Sequence, residues 1–145
     1  MQLKLQDYIR PKDDPGIGLH LFPHPYVTGD ALGVWIQRML AMRLKWTTTL
    51  NDDLASLLKF AQAGIQPVCR PFLRANEDWG DRGIVAERML ATGVGPYVQA
   101  YNEPELAVEW PDSQVDKMAY IYRWVFAAEN IMHHSGYPGI QLLDP

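Results

Sequence analysis

Hydrophobic positions along this chain change period repeatedly, and each change marks a predicted element. Short apolar runs closed by turn residues alternate with stretches whose apolar residues return every three or four positions, the patterns of strands and helices. GLHLFPH (18 to 24) is the first run, and behind it Asp30 is placed to cap a helix carrying Leu32, Ile36, Met39 and Leu40. KWTTTL (45 to 50) is rich in β-branched residues; Asn51 then suits a cap, and Leu54, Leu57, Leu58 and Ala61 form one stripe that Gly64 closes. IQPVCRPFL (65 to 73) predicts a third strand, residues 81 to 92 a third helix stopped by Gly93, and PYVQAYNEP a fourth strand. Met118, Ile121, Tyr122, Val125, Ala128 and Met132 mark a long fourth helix that SGYPG ends, with the helical methionines expected in the core. IQLLDP (140 to 145) is a fifth apolar run.

The order is (βα)4β, which predicts an α/β protein with parallel strands and right-handed crossovers. Two architectures accommodate it: a partial TIM barrel, a half-barrel with strands in the order 1-2-3-4-5, and a flavodoxin-like open sheet. A complete (βα)8 barrel needs about 250 residues, so 145 allow only part of one. Against the open sheet, FPHPYVTGD after the first strand lacks the glycine spacing of a phosphate-binding turn. The Pro/Asp-rich PKDDPG sets a leader, residues 1 to 16, apart from a single domain over 17 to 145.

In parallel α/β proteins functional groups gather where strands end and βα loops begin. Those ends carry His20 and His24, Asn51 to Asp53, Arg70, Arg74 and Glu77, then Tyr101, Asn102, Glu103 and Glu105, and finally Asp144. Trp79 and Trp110 fall in the third and fourth βα loops, where indole faces beside carboxylates and an arginine suit a sugar ring. Alternation gives Tyr97, Gln99, Tyr101 and Glu103 a common side, so Gln99 is expected to point inward below the acid. His133 and His134 at the end of the fourth helix are expected to interact with its dipole and carbonyls.

The stretch VQAYNEPELAVEW resembles the signature of the clan of retaining glycoside hydrolases with (βα)8 barrels, where an Asn-Glu pair, usually followed by Pro, ends the fourth strand. The match falls where the count of strands independently puts strand four. A histidine on the first strand and an arginine on the third are similar to what that clan carries. The resemblance implies that Glu103 is the general acid/base, that Asn102 holds a sugar 2-hydroxyl, and that Arg70 and His20 line the same subsite, with Tyr101, Trp79 and Trp110 as walls. It implies no cofactor and no metal. It also implies a nucleophile at the end of a seventh strand, to which no residue of this sequence corresponds.

Composition narrows the partners. Thirteen basic residues against 17 acidic ones, net −4, include no basic run, which argues against nucleic acid. No stretch approaches the length of a membrane span, no apolar signal region opens the sequence, and the single cysteine, Cys69, forms no internal disulfide. The default expectation is cytoplasmic, with an oligosaccharide or glycoside as ligand. A half-barrel leaves strand edges and an inner face bare, so a homodimer or a complementary C-terminal half-barrel is the expected protein partner.

Overall fold

A computed structural model describes residues 10–21, 29–136 and 141–143. Strands β1 (Gly18–Leu21), β2 (Trp46–Thr49), β3 (Gln66–Cys69), β4 (Tyr97–Gln99) and β5 (Gln141–Leu143) alternate with helices α1 (Gly29–Ala41), α2 (Leu54–Gln62), α3 (Gly83–Thr92) and α4 (Lys117–Ser135). All strand pairs are parallel, in the order β1-β2-β3-β4-β5. A flavodoxin-like sheet runs 2-1-3-4-5, with its first strand inside. Here β1 pairs with β2, and β2 in turn with β3. His24 and Asp144 lie outside the described residues, as does most of the leader.

The register shows why the helices share one side of the sheet. Leu21, Thr49, Cys69, Val98 and Leu142 lie in successive register across the strands and therefore point the same way. Leu21 packs with Leu32, Ile36 and Met39 of α1, and Phe60 of α2 belongs to the same cluster. Cys69 and Val98 pack with Leu57 of α2, Ala86 and Met89 of α3, and Ala127 and Ile131 of α4. The opposite sheet face carries His20, Trp46, Thr48, Val68 and Tyr97, with Trp46 set edge-on to Tyr97 at 5.1 Å between ring centroids.

Local chemistry fixes the helix ends. Asp53, not Asn51, caps α2: its carboxylate accepts from Ala55 N (3.3 Å) and Ser56 N (3.1 Å), while Asn51 Oδ1 accepts from Asp53 N. The aspartate wins because Asn51 is spent on the turn that leads into the helix. Gly93 ends α3 in the left-handed conformation at φ 73°, as glycine permits. Asp116 caps α4 by accepting from Ala119 N at 2.9 Å.

The core face of α4 differs from the methionine-rich stripe that its sequence suggests. Ala127, Ala128 and Ile131 are buried with Tyr120 and Trp124 beside them, whereas Met118, Ile121, Tyr122, Val125 and Met132 are exposed. The cause is close approach between helices. A Cβ on Gly83 would stand 2.5 Å from the Asn130 carbonyl oxygen, so α3 and α4 touch backbone to backbone and take small residues at the contact. Asn130 completes the joint, its Oδ1 accepting from Gly83 N (2.8 Å) and from Trp79 Nε1 (3.1 Å).

Candidate functional site

The candidate site lies where β1, β3 and β4 end. Arg70 immediately follows β3 and is buried, with 5% of its surface exposed. Its Nη2 meets His20 Nε2 of β1 across the end of β2. A guanidinium only donates, so the imidazole nitrogen facing it accepts and carries no proton. Partial burial lowers the pKa of His20, the Arg70 charge lowers it further, and Glu103 opposes both. Burial likewise lowers that of Arg70 against the pull of Glu103 and Glu109. Arg70 Nε is buried and has no hydrogen-bond partner among the described residues.

After β4 the chain leaves the alternation of a strand. Tyr101 and Glu103, neither of them glycine, both adopt positive φ, 65° and 31°. Side chains resist that region, and such outliers concentrate at functional sites. Asn102 between them is buried, while Glu103 is exposed at the rim. A 3-10 turn at Ala107–Glu109 folds the loop back, with Leu106 N donating to Glu103 O at 2.9 Å. Trp110 Nε1 donates to Pro104 O at 2.9 Å and ties the loop shut.

That fold-back introduces a group the sequence did not single out. Asn102 Nδ2 donates to Glu109 Oε1 at 2.8 Å and reaches Glu103 Oε2 at 3.4 Å, so one amide links two carboxylates. Glu109 is six positions beyond Glu103, and only the turn brings the two together. No residue pattern in PELAVEW announces it.

His20, Arg70, Asn102 and Glu103 are thus brought together; the three aromatic candidates are not. Tyr101 turns to the helix side, where its hydroxyl donates to Glu77 O at 3.2 Å and its ring lies 5.9 Å from those of Trp79 and Tyr120. Burial pushes its pKa up to about 12. Trp79 is buried to 1% with its indole N–H on Asn130, and Trp110 to 6% with its own on Pro104. These rings hold the loops in place and offer no open face. The positive φ at Tyr101 explains why alternation from Gln99 fails there.

Arg74 and Glu77 form a turn of their own, Arg74 N donating to Glu77 Oε2 at 2.8 Å. His134 lies at the far end of α4, 2.6 Å from Asp81 and 3.5 Å from Glu87. A 260 Å³ recess lined by Arg10, Lys12, Lys45 and Gln66 opens at the amino-terminal end of the sheet, away from Glu103. Among the described residues no group of three or more His, Cys, Asp and Glu is placed to hold a metal ion, and no described helix is long and apolar enough to cross a membrane. Cys69 is fully buried, and burial pushes its thiol pKa up.

No protein-family model, no curated protein and no solved structure matches the chain.

Proposed function

We propose that this chain corresponds to the amino-terminal half of a glycoside hydrolase-like TIM barrel, with an oligosaccharide or glycoside as ligand and Glu103 as the proton donor. Sequential parallel pairing with every helix on one face is the arrangement half of such a barrel would have. The observation that carries the reading is the cluster itself: Glu103, Asn102, Arg70 and His20 converge at the carboxyl ends of the strands, on a loop held at two positive φ values.

The chemistry follows from the groups present. Asn102 links Glu103 to a second carboxylate, Glu109, so the donor has an acidic neighbour held on the same loop. Arg70 holds hydroxyls of the sugar with the N–H groups it has left, and unprotonated His20 orients Arg70. A retaining reaction further requires a nucleophile about 5 to 5.5 Å from the donor on the other side of the bond. The sequence has no counterpart of the seventh-strand nucleophile, so these 145 residues bind and donate a proton but turn over slowly or not at all alone.

Hydrolysis of aryl glycosides over a range of leaving-group basicity in molar formate, which stands in for the missing nucleophile, tests the reading. Formate-dependent turnover that Glu103→Gln spares for the most acidic phenol and loses for the most basic one supports it; equal turnover by variant and native chain across the whole range removes Glu103 as the proton donor. A non-catalytic carbohydrate-binding half-barrel is the second reading, favoured by one contact: Asn102 spends its amide on Glu109 instead of leaving it for a sugar hydroxyl. Calorimetric binding of oligosaccharides with no formate-dependent turnover selects it, and absence of binding to any sugar overturns both.

A further inference from the structure

Helix α4 carries apolar side chains on two opposite sides, and its outward face bears the greatest concentration of exposed apolar surface in the described molecule. Six of the thirteen exposed large hydrophobics lie on it: Met118 (58% exposed), Ile121 (49%), Tyr122 (71%), Val125 (43%), Phe126 (54%) and Met132 (42%). At 100° per residue they fall within one stripe opposite Ala127 and Ile131, which face the core. An apolar helix face is ordinarily a buried one.

The spacing within the stripe specifies how it is covered. Met118, Tyr122, Val125, Glu129 and Met132 follow one another at intervals of four, three, four and three residues, the a/d seam of a coiled coil. Only Glu129 in that seam is charged. An antiparallel pairing with a second α4, its twofold axis between Tyr122 and Val125, sets Tyr122 against the partner's Val125. In the same register Met118 meets the partner's Glu129, so the two carboxylates sit at opposite ends of the seam, whereas a parallel pairing would set them face to face.

The area is sufficient as well. Side chains of these sizes and exposures present roughly 600 Å² per copy, and with rim residues the pair approaches the roughly 800 Å² per partner of a standard interface. We propose that two copies of this chain associate through α4, antiparallel across the Met118–Met132 seam. This surface lies on the helix layer, away from the sheet face that a half-barrel leaves bare, so the proposal goes beyond the carbohydrate reading and does not depend on it.

Light scattering after size exclusion, over a hundredfold range of concentration, reads the outcome directly. The expected result is a mass of twice 16.5 kDa, falling to 16.5 kDa for Tyr122→Glu, with far-ultraviolet circular dichroism unchanged to show that the variant folds. Glu129→Leu, which removes the one charge from the seam, should lower the dissociation constant at least tenfold. A monomer throughout for the native chain overturns the proposal. So does a dimer that survives Tyr122→Glu, which would place the interface elsewhere, and so does a dissociation constant that Glu129→Leu leaves unchanged or raises. Oligosaccharide binding by the Tyr122→Glu monomer is measured separately and reports on the sheet-end site alone.

Discussion

Two histidines in this molecule are held in opposite directions, and their titrations make the local electrostatics testable. Burial and the charge of Arg70 depress the pKa of His20 below its ordinary 6.5, whereas the hydrogen bonds that His134 donates to Asp81 and Glu87 raise its own. The unfolded chain binds a proton to His20 more readily than the folded one, so stability from this residue is intact above about 6.5 and falls as pH drops through its folded pKa. His134 contributes in the reverse sense, fully below about 6.5 and progressively less as pH rises through its folded pKa. An NMR titration should resolve one imidazole below and one above 6.5. Arg70→Ala should move His20 upward, Asp81→Asn should move His134 downward, and a shift of either in the other direction refutes the assignment. At Trp110 the expectation concerns loop order. Replacing it by Phe leaves the Pro104 carbonyl unpaired in a buried place and should cost about 1–3 kcal/mol, read by urea unfolding.

Among the elements, glycines separate packing constraint from mere permissiveness. Gly83→Ala puts a methyl group 2.5 Å from the Asn130 carbonyl oxygen and must push α3 from α4, at about 1–3 kcal/mol. Gly33, inside α1, has nothing within 4 Å of an added Cβ and no positive φ, so Gly33→Ala should stabilise by about 0.5–1 kcal/mol. Opposite shifts of the urea midpoint in the two variants would confirm the close contact; equal ones would deny it. The existence of these elements was legible because strand and helix periods differ and because Gly64 and Gly93 punctuate them. The face of α4 was not. Its apolar residues satisfy a 3.6-residue period on both sides, so periodicity found the helix while small residues against Gly83, invisible to hydropathy, chose the side that packs. Glu109 and the turn of Tyr101 were hidden for a similar reason: both follow from positive φ values and a 3-10 fold-back, which residue type does not encode. Strand ends put Arg70, His20, Asn102 and Glu103 in one larger group of candidates and the resemblance singled them out; they meet because parallel strands in sequential order bring their carboxyl ends together.

For the whole molecule, the sheet and its helices leave α4 apolar on its outer side, and that has a thermodynamic consequence apart from any mass measurement. If association and folding are linked, thermal stability depends on protein concentration, because a dimer that dissociates on unfolding gains from mass action. With about 0.7 kcal/mol per residue of unfolding enthalpy over two chains, Tm should rise by about 2–3 °C for each tenfold increase in concentration. Calorimetry on the native chain should show that slope. Tyr122→Glu, which removes the most exposed aromatic of the seam, should abolish it while leaving the unfolding cooperative. The variant should also melt lower than the native protein at high concentration and converge with it on dilution, since what it loses is the contribution of the partner and not of its own core. A native Tm independent of concentration would mean that the stripe stays open to water in the folded state, and the symmetric pairing across Tyr122 and Val125 would have to be abandoned.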